Sequence, residues 1–124
     1  MLNPDYLLLY VADPLLSEKF YAGLLGLQAV ESAATFVMFI LPSGLKFGLW
    51  QQGDVQPSPA ALAGAGEICI SRPTEAEVHT LYADWKQRGI PIVHEPMRLD
   101  FGLNFLVVDP DGHRIRVFAP PARG

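Results

Sequence analysis

Cysteine is almost missing from this sequence: Cys69 is the single one in 124 residues. One thiol excludes a disulfide within the chain, and the reading that follows is a reducing, cytoplasmic setting. Positive charge is also scarce. Lys and Arg number 9 against 13 Asp and Glu, a net charge of -4. Phosphate backbones are held by clustered Lys and Arg, so nucleic acid is not an expected partner. No apolar run approaches the ~18–20 residues that span a bilayer, so no membrane partner is expected either. The opening "MLNPDYLLLYVADP" lacks a basic n-region and a small-residue cleavage site. It reads as a strand and not as a signal peptide. What is present is a single domain's length of chain, 50% hydrophobic, which is ample for a core.

The chain states nearly the same plan twice. "FVMFILPSGLKFGLW" (36–50) is apolar strand, turn, alternating strand, and "FLVVDPDGHRIRVF" (105–118) repeats it. Upstream, "YLLLYVADP" (6–14) and "EICISRP" (67–73) each read as a strand that ends in a turn. Each then enters an amphipathic helix. The first is expected over 16–25 with Phe20, Leu24 and Leu25 inward. The second is expected over 75–88 with Val78, Leu81, Tyr82 and Trp85 on one stripe. Thr74 with Glu77 forms a capping-box signature, and Gly26 and Gly89 mark the helix ends. "LQAV" (27–30) and "IPIV" (90–93) complete the expected strands.

Each half is therefore β-α-β-β-β. Module one is 1–50, a Gly-, Ala- and Pro-rich linker is 51–66, and module two is 67–120. One module leaves a sheet face bare, so two must pair, within the chain or between chains. The expected fold is α+β: two βαβββ modules forming a curved mixed sheet around a concave cleft, in a single domain that pairs as a homodimer.

Strand alternation sorts the side chains by face. Leu7, Leu9 and Val11, Leu45, Phe47 and Leu49, Ile68 and Ile70, and Ile115 and Val117 form the apolar set that packs beneath the helices. The opposite set lines the open face and carries Tyr6, Tyr10, Trp50, Glu67, Cys69, Arg116 and Phe118. Phe101 falls in a loop that borders the same cleft.

Two stretches carry a family resemblance. "VADPLLSEKFYAGLLGL" (11–27) holds an Asp-x-x-x-Ser-x-x-Phe-Tyr-x-x-Leu-Leu-Gly pattern, and "DPDGHRIRV" (109–117) is the second. With the duplicated plan, the chain resembles the vicinal-oxygen-chelate superfamily of glyoxalases, extradiol dioxygenases and bleomycin-type drug-binding proteins. "FGLWQQG", "GEICISRPTEAEVHTLYADWK" and "EPMRLDFGLNFLVVDPDGHRIRVF" are most similar to the phenazine-antibiotic resistance proteins, which bind their drug without a metal. The resemblance implies metal-ligand positions at Tyr6, Gly48, Glu67 and Arg116. Of these, Glu67 alone suits a divalent ion, and Arg116 would repel one. His79, His94 and His113 fall elsewhere. No cofactor and no metal are expected.

The expectation is a metal-free protein that sequesters a small planar aromatic ligand, with Trp50 stacking and Arg116 and Glu67 fixing polar groups such as a carboxylate or an amine. An ion pair that merely closes the site is the other reading of Arg116 with Glu67. Tyr6, Tyr10, Phe118 and Phe101 serve either as packing or as ligand contacts, and Cys69 as a small packing residue without an evident base. The alternative function is an enzyme of the same superfamily, either a metal-dependent lyase or dioxygenase or a metal-free isomerase with Glu67 as base. A third is an accessory subunit with its cleft filled by its own side chains.

Overall fold

The computed structural model describes residues 4–59, 64 and 66–121. The chain divides into two compact units, Met1–Ala65 and Gly66–Gly124. Residues 60–63 and 65 of the expected linker lie outside the described residues. The first unit runs β1 (Tyr6–Val11), α1 (Pro14–Leu25), β2 (Glu31–Ser32), β3 (Phe36–Ile40) and β4 (Lys46–Gln51). The second runs β5 (Glu67–Ser71), α2 (Glu75–Gln87), β6 (Ile92–Leu99), β7 (Gly102–Val108) and β8 (Arg114–Ala119). Both follow the βαβββ order, and the fold is α+β. Among the described residues no helix is long and apolar enough to cross a membrane.

Each unit holds its own four-stranded mixed sheet, β1-β4-β3-β2 in one and β5-β8-β7-β6 in the other. The first and last strands of each unit pair in parallel, and the last three pair antiparallel. The registers are equivalent. Leu8 lies opposite Gly48 in the first unit, and Cys69 lies opposite Arg116 in the second. Position 6 in one unit thus corresponds to 67 in the other, and 48 to 116.

In the first unit Asp13 caps α1 by accepting from the backbone N–H of Leu15 and Leu16, and Pro14 occupies the first turn, where its missing N–H costs nothing. The helix ends at Gly26, which takes the left-handed conformation that favours glycine. Its buried stripe is Pro14, Ser17 and Tyr21, which differs from the expected Phe20, Leu24 and Leu25. With Pro14 starting the helix, positions 14, 17 and 21 share one face. Tyr21 therefore meets Phe47 edge to face at 4.9 Å, while Phe20 is half-buried against the Tyr21 ring at 5.1 Å. Val11, Val37, Phe39 and Leu49 complete this core. Leu7, expected in the buried set, is 38% exposed near the start of the edge strand β1.

In the second unit the Thr74–Glu77 capping box is present at the start of α2. Val78 and Trp85 are buried, with Leu81 and Tyr82 half-buried beside them. Phe105 of β7 receives the rings of Tyr82 and Trp85 at 5.4 and 5.5 Å. Two strand placements shift. Residues 27–30 are not strand, and the short β2 lies just after them. β6 starts at Ile92, after Pro91, and its pairing with β7 slips between His94 and Met97, where Pro96 lacks a backbone donor.

Candidate functional site

The face of the second unit's sheet opposite α2 carries the densest polar arrangement. Alternation along β5 and β8 puts Glu67, Cys69, Arg116 and Phe118 together, and the β7 register places Leu106 beside Arg116 and Asn104 beside Phe118. Arg116 donates from Nε to Glu67 Oε1 at 2.6 Å and from Nη2 to Glu67 Oε2 at 3.3 Å. This forked pairing restricts the guanidinium in two dimensions. Its Nη1 donates to Asn104 Oδ1 at 2.7 Å. The guanidinium carbon lies 5.5 Å from the centre of the Phe101 ring, which in turn meets Phe118 edge to face at 5.9 Å.

Asn104 is fully buried. Its Nδ2 donates to the carbonyls of Met97 and Gly102, at 3.1 and 3.3 Å. These two carbonyls orient the amide, so that Oδ1 is the atom turned to Arg116. They also flank the turn that carries Phe101, and one amide therefore ties that turn to the guanidinium. Around this cluster lies a concavity of about 310 Å³ lined by Glu67, Cys69, Phe101, Arg116 and Phe118.

Electrostatics follow from these contacts. The hydrogen bonds of Arg116 hold the Glu67 carboxyl below the usual carboxylate range, against the effect of desolvation, with Cys69 and the charges of Arg116 and Arg114 adding to the lowering. Desolvation pushes the Cys69 thiol up, and the hydrogen bond to Glu67 Oε1 at 3.4 Å and that group's charge push the same way. Lowering makes the carboxylate a weaker general base than a free one, and raising makes the thiol a weaker nucleophile at neutral pH.

The first unit presents an aromatic face. Trp50 of β4 is half-buried, and Tyr10 and Phe36 each approach its ring edge to face at 6.5 Å. Its Nε1 donates to Asp54 Oδ2 at 3.1 Å, from a short 3-10 turn after β4. Tyr6 is 52% exposed, and the Lys46 ammonium lies 4.8 Å from the centre of its ring. Gly48 is buried: a Cβ there would meet Leu8 Cδ2 at 2.6 Å and the Phe36 ring at 3.0 Å.

Of the expected site residues, Glu67, Cys69, Phe101, Arg116 and Phe118 come together in the second unit, and Tyr10 meets Trp50 in the first. Asn104, Asp54 and Phe36 were missed. Asn104 sits in the apolar run "GLNFLVV", where a lone polar residue is the signal, and it shares a face with Arg116, which lies two positions from its register partner Phe118.

Of the metal-ligand positions that the resemblance implies, Glu67, Gly48 and Arg116 do not suit an ion here. The Glu67 carboxylate has both oxygens on a guanidinium, Gly48 offers no donor atom, and its space is taken by Leu8 and Phe36. Asp109, Asp111 and His113 do gather within 4.8 Å at the β7–β8 turn. Asp109 Oδ1 accepts from the backbone N–H of Asp111 and His113, and Oδ2 contacts His113 Nδ1, all at 2.8 Å. That is the architecture of the turn.

Comparison with known proteins agrees with the fold and the duplicated plan. The profile of the Glyoxalase/Bleomycin resistance protein/Dioxygenase superfamily matches residues 3–117. The phenazine antibiotic resistance protein EhpR of Enterobacter agglomerans is 33% identical over 119 residues, which are 94% of this chain and 91% of that protein. A protein from Agrobacterium tumefaciens, solved by NMR in solution, is 39% identical with a TM-score of 0.86, over 98% of this chain and 100% of that one. A crystal structure of a glyoxalase/bleomycin resistance protein/dioxygenase from Nocardioides shares the fold at 21% identity and a TM-score of 0.87, over 100% of this chain and 87% of that one. The match spans both modules and both motif stretches, and the chain belongs to the glyoxalase/bleomycin resistance protein/dioxygenase superfamily.

Proposed function

We propose that this chain binds a small planar aromatic compound without a metal, and that it protects against an antibiotic of phenazine type by sequestering it. The observation that carries the reading is Arg116, held by Glu67 and Asn104 beside the rings of Phe101 and Phe118 in one concavity. Such a site offers a rigid donor edge and apolar walls, as small-molecule pockets do. Preorganisation lowers the cost of capture, because the guanidinium need not be ordered when the ligand arrives. The lowered Glu67 and raised Cys69 support capture over chemistry, since neither is poised to move a proton or attack. The similarity to a phenazine antibiotic resistance protein supports the ligand class. Trp50, with Tyr10 and Phe36 at its edges, supplies a further aromatic surface in the first unit.

Calorimetric titration with phenazine and indole fluorescence test the proposal together. The expected result is saturable binding that weakens about tenfold or more in Arg116→Met, the scale of ~1.4 kcal/mol. Quenching that diminishes in Trp50→Phe places that indole in contact with the ligand. Trp85 is buried on the inward face of α2 and serves as the internal reference. Absence of binding, or binding unchanged in Arg116→Met, defeats the reading.

A further inference from the structure

Arg116 is well enclosed for an arginine on the open face of a sheet: its side chain is only 13% exposed. Glu67 accepts from Nε and Nη2, and Asn104 accepts from Nη1. A ring lies against the guanidinium as well. The central carbon of Arg116 sits over Phe101, 5.5 Å from the ring centre. A cation within about 6 Å of a ring centroid is attracted to the ring face. Phe101 therefore occupies a place that a planar aromatic ligand would take to stack on this arginine.

The ring and the backbone that carries it differ in freedom. β6 ends at Leu99 and β7 begins at Gly102, so Phe101 stands on a short turn between paired strands. The buried Asn104 amide grips the carbonyls of Met97 and Gly102. Gly102 packs so closely on the Ala119 carbonyl oxygen that an added Cβ would lie 2.0 Å from it. The post is fixed. The Phe101 residue itself is 42% exposed, and its ring also meets Phe118, edge to face at 5.9 Å. Exposed side chains change rotamer within picoseconds to nanoseconds, and this one has solvent to turn into.

We infer that Phe101 is the gate of this site: its ring caps Arg116 in the free protein and swings aside on a fixed turn to admit the ligand ring. The inference rests on the aromatic-ligand reading above and gives Phe101 a role opposite to that of a passive wall. A wall raises affinity by its contact with the ligand. A cap lowers it and slows association, because only the open fraction of the protein is competent to bind.

Phe101→Ala separates the two roles on the full chain. In stopped-flow mixing with phenazine, followed by the absorption of the phenazine itself, the variant should associate at least about tenfold faster than the wild type, as follows when the open rotamer is populated at about a tenth or less. Phe118→Leu takes away the edge contact but keeps the Phe101 ring, and should speed association by a smaller factor. It decides the matter should Phe101→Ala fail to fold. A second measurement needs no ligand: phenylglyoxal modification of Arg116, read by mass spectrometry against the exposed Arg98, should run faster in Phe101→Ala. Association equal to or slower than the wild type's, or unchanged reactivity of Arg116, overturns the inference, and phenazine binding by the wild type then leaves the aromatic-ligand reading standing. Phenazine binding by neither protein overturns both.

Discussion

Arg116 and Asn104 meet at 2.7 Å through Nη1 and Oδ1, and the buried amide is itself anchored to the Met97 and Gly102 carbonyls on either side of the Phe101 turn. The arginine's place is therefore set by an amide whose own orientation has no freedom left. Asn104→Leu keeps the volume and removes all three bonds. It leaves a guanidinium N–H and two carbonyls without their partner, and such orphaned groups cost about 1–3 kcal/mol. Urea unfolding should show a loss of that size, and phenazine affinity should fall with it. A variant as stable as the wild type would mean the amide holds nothing.

Acid should unfold the protein partly through Glu67. The hydrogen bonds of Arg116 lower its carboxyl pKa in the folded state. The unfolded chain titrates near the ordinary ~4.3, so this contribution is fully present above that value and is lost as pH falls through the lowered folded one. Stability of the wild type should decline from about pH 5 downward, and Glu67→Gln should decline less over the same window. Arg98 and Arg72 hold Glu75 and Glu77 low in the same way, so the slope is reduced and not abolished. Equal slopes in chemical denaturation at several pH values would contradict the assignment.

Two glycines should respond to alanine in opposite directions. Gly102 opens β7 with φ +125, and a Cβ there would lie 2.0 Å from the Ala119 carbonyl oxygen. Backbone must move, so Gly102→Ala should cost more than about 3 kcal/mol. Gly23 lies inside α1 with nothing within 4 Å of an added Cβ. Gly23→Ala should raise stability by roughly 0.5–1 kcal/mol through helix propensity alone. Thermal melts of the two variants check both signs.

The duplicated plan was legible because each module repeats a strand, turn and amphipathic helix, and the capping box at Thr74 was readable from three residues. Tyr21 was harder. It and Phe20 are both large and aromatic, and the inward face depends on where the helix begins, which Pro14 moved by two residues from the expected start. The strand β2 was misplaced because its two residues, Glu31 and Ser32, carry no apolar alternation. For the site, alternation put Glu67 and Arg116 on one face, but their contact depends on the parallel register of β5 on β8. Asn104 belongs to a third strand, and its contact with Arg116 runs diagonally past its register partner Phe118, which a lone polar residue in an apolar run does not reveal.

The packing over Gly48 has a consequence for redesign. Gly48→His would push aside Leu8 and Phe36, while Arg116→His would strip Glu67 and Asn104 of their shared partner. Each such substitution weakens the fold before any ion could repay it, so no single exchange at these positions turns the chain towards metal chemistry without loss. A laboratory lineage seeking that chemistry would have to begin by loosening the aromatic floor, and only then install ligands.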